Sequence, residues 1–214
     1  MRRRAALALL AAAALAGCGG GPRVTESRPV APFDSLQVSD SVDVEVVPGD
    51  GSEVRVYAGE DVMDRVDTES AGGVLRIGLQ DRGIVIGPDP LGDVSVQLPV
   101  SVLERVTVDG SGDVRMGGLS AGALELEIKG AGEIEAAGSV DRLTATIQGA
   151  GDADLFDLAV RTADVTVEGA GDAALNVSEQ LDVTVQGAGD VTYRGDPAVS
   201  SSIEGAGDLN RERP

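Results

Sequence analysis

Val165-Thr166-Val167-Glu168-Gly169-Ala170-Gly171-Asp172 decides how this chain folds, because the phrase returns almost unchanged as Val183-Thr184-Val185-Gln186-Gly187-Ala188-Gly189-Asp190. Its Gly-Ala-Gly-Asp kernel, or a near variant, occurs at Gly110–Asp113, Gly130–Glu133, Gly149–Asp152, Gly169–Asp172, Gly187–Asp190 and Gly205–Asp208, with spacings of 20, 19, 20, 18 and 18 residues. A fixed period near 20 means stacked units, none of which can bury its own apolar face alone.

Within a unit the apolar positions alternate. Leu124, Leu126, Ile128, Gly130, Gly132, Ile134 and Ala136 point one way, and Glu125, Glu127, Lys129, Ala131, Glu133 and Glu135 fall between them. That is strand periodicity. The same parity places Val108, Ile128, Ile147, Val167, Val185 and Ile203 in one inward column, and Val114, Ile134, Ala153, Ala173, Val191 and Leu209 in a second. The inward positions between the columns are glycine, so the chain is expected to bend there, where a side chain would collide with the packed interior. A further apolar stretch, such as Leu158–Val160, completes each turn. Three short sides per coil of 18 to 20 residues, with strands of about 4 to 6 residues, predict an all-β chain wound as a parallel β-helix. Only Phe33, Tyr57, Phe156 and Tyr193 are aromatic, so the core must be thin layers of Val, Leu, Ile and Ala.

Upstream the pattern changes. Strand-like runs at Val42–Val47, Glu53–Tyr57, Val74–Leu79 and Val94–Leu98 are spaced irregularly, and 60–66 reads as a short helix. Residues 33–105 therefore read as an atypical β region that caps the solenoid, and 106–214 as its regular coils. Residues 1–17 read as a signal peptide: Arg2, Arg3 and Arg4 precede an apolar run, and Leu15-Ala16-Gly17-Cys18 is a lipobox. Cys18, the only cysteine, is the expected lipid-attachment site, and 18–32 a Gly/Pro-rich tether reaching up to roughly 45 Å. Gly19 follows the cysteine rather than Asp, which favours an outer over an inner membrane in a two-membrane envelope.

Charge narrows the partners. Of 17 basic residues three lie in the signal, leaving 14 against 36 acidic ones. A field of that sign repels phosphate backbones and excludes nucleic acid, while it favours cations, basic partners or neutral glycans. With no histidine and no thiol beyond Cys18, Ser-His, Cys-His and histidine-metal sites are excluded. A Ser-Lys pair would have to use Lys129, the only lysine, on an outward strand position.

The repeated Val-x-Val-x-Gly-Ala-Gly-Asp-Val phrase and the ending Tyr193-Arg194-Gly195-Asp196-Pro197 resemble the head GIN domain of autotransporter-type adhesins, from about Phe33 to Asp208. The resemblance implies one domain over about 33–209, a right-handed β-helix, and a cell-surface or periplasmic lipoprotein with no catalytic residues to carry over. This chain has Ala where that family often has Ser.

Two outward columns are candidates for binding. Asp113, Glu133, Asp152, Asp172, Asp190 and Asp208 would stack at about 4.8 Å, so neighbouring carboxylates repel unless something screens them. A line of Ca²⁺ would do so. Alternatively each Asp accepts hydrogen bonds from turn amides and no cofactor is needed, the favoured reading. Beside it run Thr107, Glu127, Thr146, Thr166, Thr184 and Ser202, then Asp109, Lys129, Gln148, Glu168, Gln186 and Glu204, a flat face of the kind that can meet a glycan or simply reflect β-propensity. The leading function is a non-catalytic envelope lipoprotein, membrane-bound through Cys18, that binds a glycan or protein partner or spaces other components. An envelope-stress sensor or scaffold is the second reading, and a carbohydrate-active enzyme with converging carboxylates the third.

Overall fold

The computed structural model describes residues 22–49, 52–80, 94–100 and 102–213. The expected signal peptide and lipid-attachment residue Cys18 lie outside them. The described chain forms β1 (Arg23–Pro29), β2 (Ser35–Asp40), β3 (Val42–Val47), β4 (Glu53–Gly59), β5 (Val66–Ala71), β6 (Val74–Leu79), β7 (Val94–Pro99) and β8 (Arg105–Gly110). It continues through β9 (Val114–Ile128), β10 (Glu133–Gly149), β11 (Asp152–Gly169), β12 (Ala173–Gly187), β13 (Val191–Arg194), β14 (Ala198–Gly205) and β15 (Leu209–Arg211). From β8 onward every pairing is parallel, each coil lying on the next. The chain is a parallel β-solenoid.

Strands longer than expected carry the regular coils. Instead of separate short segments, β9 to β12 run 15, 17, 18 and 15 residues. The corner between them is absorbed by register shifts, as between Ala136 and Gly138, while the ladder to the neighbouring coil resumes beyond it. Parallel bonds to a copy above and below hold a bent strand as well as a straight one, so the bend need not break it.

Both inward columns are present in register. Val108, Ile128, Ile147, Val167 and Val185 pair in succession, as do Val114, Ile134, Ala153, Ala173 and Val191. All ten are 3% exposed or less. Burying such a Val or Ile side chain stabilises by roughly 1.5–3 kcal/mol, and the stack repeats that gain at every rung.

The Gly-x-Gly corner answers to a different obstacle from the one expected. A Cβ on Gly169 would strike the carbonyl oxygen of Gly149, and one on Gly171 would strike the carbonyl of Gly151 and come 3.0 Å from Ile147 Cγ2. The first glycine is thus required by the neighbouring coil's backbone; only the second also meets the packed interior. The same close approach lets Ala131 N donate to Gly110 O at 2.8 Å, and Ala150, Ala170, Ala188 and Ala206 repeat that bond on Gly130, Gly149, Gly169 and Gly187 at 2.8 to 3.0 Å.

The N-terminal region contains further coils, stacked out of chain order. β2 pairs with both β6 and β8, and β3 with both β7 and β9, so β2–β3 sits between β6–β7 and β8–β9. Val38 and Val44 thereby extend the two inward columns, opposite Val108 and Val114. Asp40, at φ 66°, stands opposite Gly110, and its Oδ2 accepts the Leu79 amide at 2.9 Å. The end is closed by antiparallel strands: β4 on β7, β1 on β4 and β5 on β6. Gly72 and Gly73, at φ 61° and 83°, make the two-residue turn from β5 to β6, a turn that needs positive φ at both positions. The expected helix at 60–66 is a single 3-10 turn, Met63–Arg65.

Part of the range expected to be a tether, 18–32, is ordered on the cap. Arg23–Pro29 is a strand, and Arg28 donates to the carbonyls of Val66 and Met63, pinning it to the cap. Polar sequence did not keep β1 free because its whole length pairs with β4.

Replacing Gly169 with Val should lower stability by about 3 kcal/mol or more, because backbone cannot move aside, whereas Ala170→Ser on the exposed corner should be nearly neutral. Urea denaturation of the two variants checks this; equal losses would show the corner geometry to be wrong.

Candidate functional site

The acidic column is a hydrogen-bonded ladder running from coil to coil. Asp172 N donates to Asp152 Oδ1, Asp190 N to Asp172 Oδ1, and Asp208 N to Asp190 Oδ1, each at 2.8 Å. Asp113 Oδ1 likewise faces Glu133 N at 3.3 Å. The amide therefore comes from the next coil, not from the residue's own turn. Each N–H places positive charge between two carboxylates that would otherwise repel at the coil spacing. Asp43, which the sequence reading left out of the column, is another rung, since its Oδ1 accepts Asp113 N at 3.0 Å. Aligning Ser39-Asp40-Ser41-Val42-Asp43-Val44 with Asp109-Gly110-Ser111-Gly112-Asp113-Val114 would have found it.

Glu133 interrupts the ladder. Its extra methylene leaves Asp152 N to bond Gly132 O at 3.2 Å instead. Burial, reinforced by Glu135 and Asp113, pushes its carboxyl above the ordinary Glu value. Among the described residues no three acidic groups converge on a point where a metal could sit.

The threonine column is also in register, Thr146 opposite Thr166 and Thr166 opposite Thr184, ending at Ser202. Thr107 keeps the register, opposite Glu127, but is only 9% exposed. Lys129 bonds Glu127 at 3.1 Å and Gln148 donates to Glu168 at 3.0 Å, so this face is laced by its own side chains. Another cleft, of 320 Å³, brings Glu45, Glu135 and Asp154 from one column together with Asp157 around Arg115. Three of these acids have partners: Arg115 Nε lies 3.2 Å from Glu135, Gln97 donates to Glu45 at 3.0 Å, and Asp154 accepts the Phe156 amide at 3.2 Å. A wider cleft, 510 Å³, is lined by Ser120, Ser139, Asn176 and Ser178 beside the Asp141–Arg161 pair.

The sequence profile of one family, "Putative auto-transporter adhesin, head GIN domain", matches residues 32–197, most of this stacked solenoid. This chain belongs to the head GIN domain family. Solved structures with the same fold include a putative adhesin from Bacteroides fragilis, at TM-score 0.66 and 16% identity over 89% of this chain and 97% of that one. A putative lipid binding protein from Parabacteroides distasonis is similar at TM-score 0.53 and 21% identity, covering 92% and 98%. A putative adhesin from the same species gives 0.50 and 20%, covering 91% and 98%. No curated protein matches. The adhesin-like character of this GIN domain rests on the family, and the likenesses carry the fold.

The ladder makes two predictions. Asp172→Ala removes the acceptor of Asp190 N and should cost about 1 kcal/mol, whereas Asp172→Asn keeps an acceptor oxygen and should not; thermal melts distinguish them, with millimolar Ca²⁺ giving no more stabilisation than salt of equal ionic strength. Because the folded state holds the Glu133 proton more tightly than the unfolded state, its ionisation lowers stability as pH rises through the ordinary carboxylate range to the raised value. Glu133→Gln should therefore stabilise the domain more at pH 7 than at pH 4, read from denaturation at both pH values.

Proposed function

We propose that this GIN domain is a non-catalytic, adhesive envelope lipoprotein, held to a membrane through lipidated Cys18 and presenting its outer faces to a neutral glycan or a protein partner. The single observation that carries the reading is the ladder-pinned core. Aliphatic columns and coil-to-coil bonds make a rigid rod, while in the acidic cleft Glu135, Glu45 and Asp154 are held by Arg115, Gln97 and the Phe156 amide. A general acid or nucleophile has to be free to reach a substrate, and these groups are engaged, which supports binding over carbohydrate cleavage.

The anchoring geometry agrees with such a role. Pro22 O accepts Glu60 N at 3.2 Å beside the antiparallel cap, so Cys18 would lie at that end. The strand path β1-β4-β7-β3-β9-β10-β11-β12-β13-β15 then carries the far end roughly 43 Å away at ordinary strand spacing. The strong negative charge of the mature chain supports the exclusion of nucleic acid and anionic headgroups as ligands.

Cys18→Ser should move the protein from the membrane to the soluble fraction on cell fractionation. The released chain should bind neutral glycans or a protein on array or pull-down without cleaving polysaccharide. Membrane retention of Cys18→Ser, or turnover of a polysaccharide, would overturn the respective half of the proposal.

A further inference from the structure

The two ends of the solenoid are finished differently. At the cap end the outermost strands carry edge protection: β1 has Arg23, Glu26, Arg28 and Pro29, and β5 has Asp67 and Glu69. Charge and proline on an edge are what keep it from pairing with another chain. At the far end β14 pairs with β12 on one side, and among the described residues nothing pairs with its other side. From Ala198 to Ile203 it has no charge and no proline.

The inward column is open there as well. Val199 and Ile203 lie opposite Leu181 and Val185, which are fully buried, yet are themselves 41% and 40% exposed. Every residue of β14 is exposed. Among the described residues this end presents an unpaired strand edge, and the cap end is a poor partner for it, because its own edges are the protected ones.

We propose that a second copy of this chain supplies a partner strand, β14 pairing antiparallel with β14 about a two-fold axis through Ser201. An axis normal to the sheet keeps inward residues opposite inward residues, which restricts the register. Centred on Ser201, it sets Val199 opposite Ile203 of the second copy and Ile203 opposite Val199 of the second copy. Ser200 then meets Ser202, and Glu204 meets Ala198, so no like charges face each other. Centring on Ser200 or Ser202 instead places Val199 against Ser201 or Gly205 and loses both apolar pairs. Only the Ser201 register pairs Ala198 through Glu204 and continues the buried column across the axis. The two rods meet tip to tip with their cap ends pointing apart. Given the anchoring at Cys18 proposed above, that is the geometry of contact between two opposed surfaces.

The mature chain with Cys18→Ser should sediment as a dimer at about 100 µM and dissociate on dilution. Adding Ser201→Lys puts two inward cations opposite each other and should weaken the dimer at least about tenfold, with an unchanged β circular dichroism spectrum. A Ser201→Cys variant should oxidise to a disulfide dimer, because residues directly opposite in an antiparallel pair lie about 4.5–5.5 Å apart, within bridging range; Ser200→Cys, which faces Ser202, should cross-link far less. A monomer at every concentration, or equal cross-linking at 200 and 201, overturns the proposal. If Ser201→Lys does not fold, the cysteine pair still decides it. Failure leaves the binding role untouched, since that reading needs no second copy.

Discussion

The contact on which the rest depends is backbone against backbone at the Gly-x-Gly corner. Each corner glycine's carbonyl occupies the place where the next coil's side chain would be, and the same carbonyl takes the amide of the following Ala at 2.8 to 3.0 Å. That bond sets how closely and in what register one coil lies on another. The residue two places on is thereby carried under the next coil's amide, which is why it is Asp, short enough for its Oδ1 to reach an N–H at 2.8 Å. Glu133 shows the limit, since one methylene more redirects the Asp152 amide to Gly132. The apolar columns follow from the same register.

An acidic stack therefore does not by itself imply a cation. Like charges one strand spacing apart repel, but Asp43, Asp113, Asp152, Asp172 and Asp190 each accept a main-chain amide whose dipole points at the carboxylate. Replacing water by a fixed donor is a local remedy, and it works because the corner glycines hold the donor in place.

Stacking also dictates what happens at the ends, because a solenoid cannot close on itself as a barrel does. The cap end is closed by antiparallel strands that carry charge and proline. At the other end, among the described residues, β14 is paired on one side only, and its inward Val199 and Ile203 are 41% and 40% exposed. A chain that shields one edge and not the other has a polarity, and adhesion is a function that can use it.

The sequence by itself determined the repeat, the inward and outward parity, and the two aliphatic columns, because a period of two within a period near 20 leaves only one face to bury. It also excluded histidine-based sites, since the chain has no histidine. The order of stacking was settled only by the tertiary structure: β2–β3 lies between coils that follow it in the chain, and no local pattern reports which coil a strand will lie on. The same holds for β1, whose polar sequence looks like a tether and is a strand because β4 is beside it. Asp43 and Asp40 belong to both accounts. Their residues spell the corner without its glycines, and only the neighbouring coils reveal that Asp43 takes the Asp113 amide and that Asp40 adopts the positive φ of a glycine. Parity is a property of one strand, whereas register is a relation between two, and this fold depends on register.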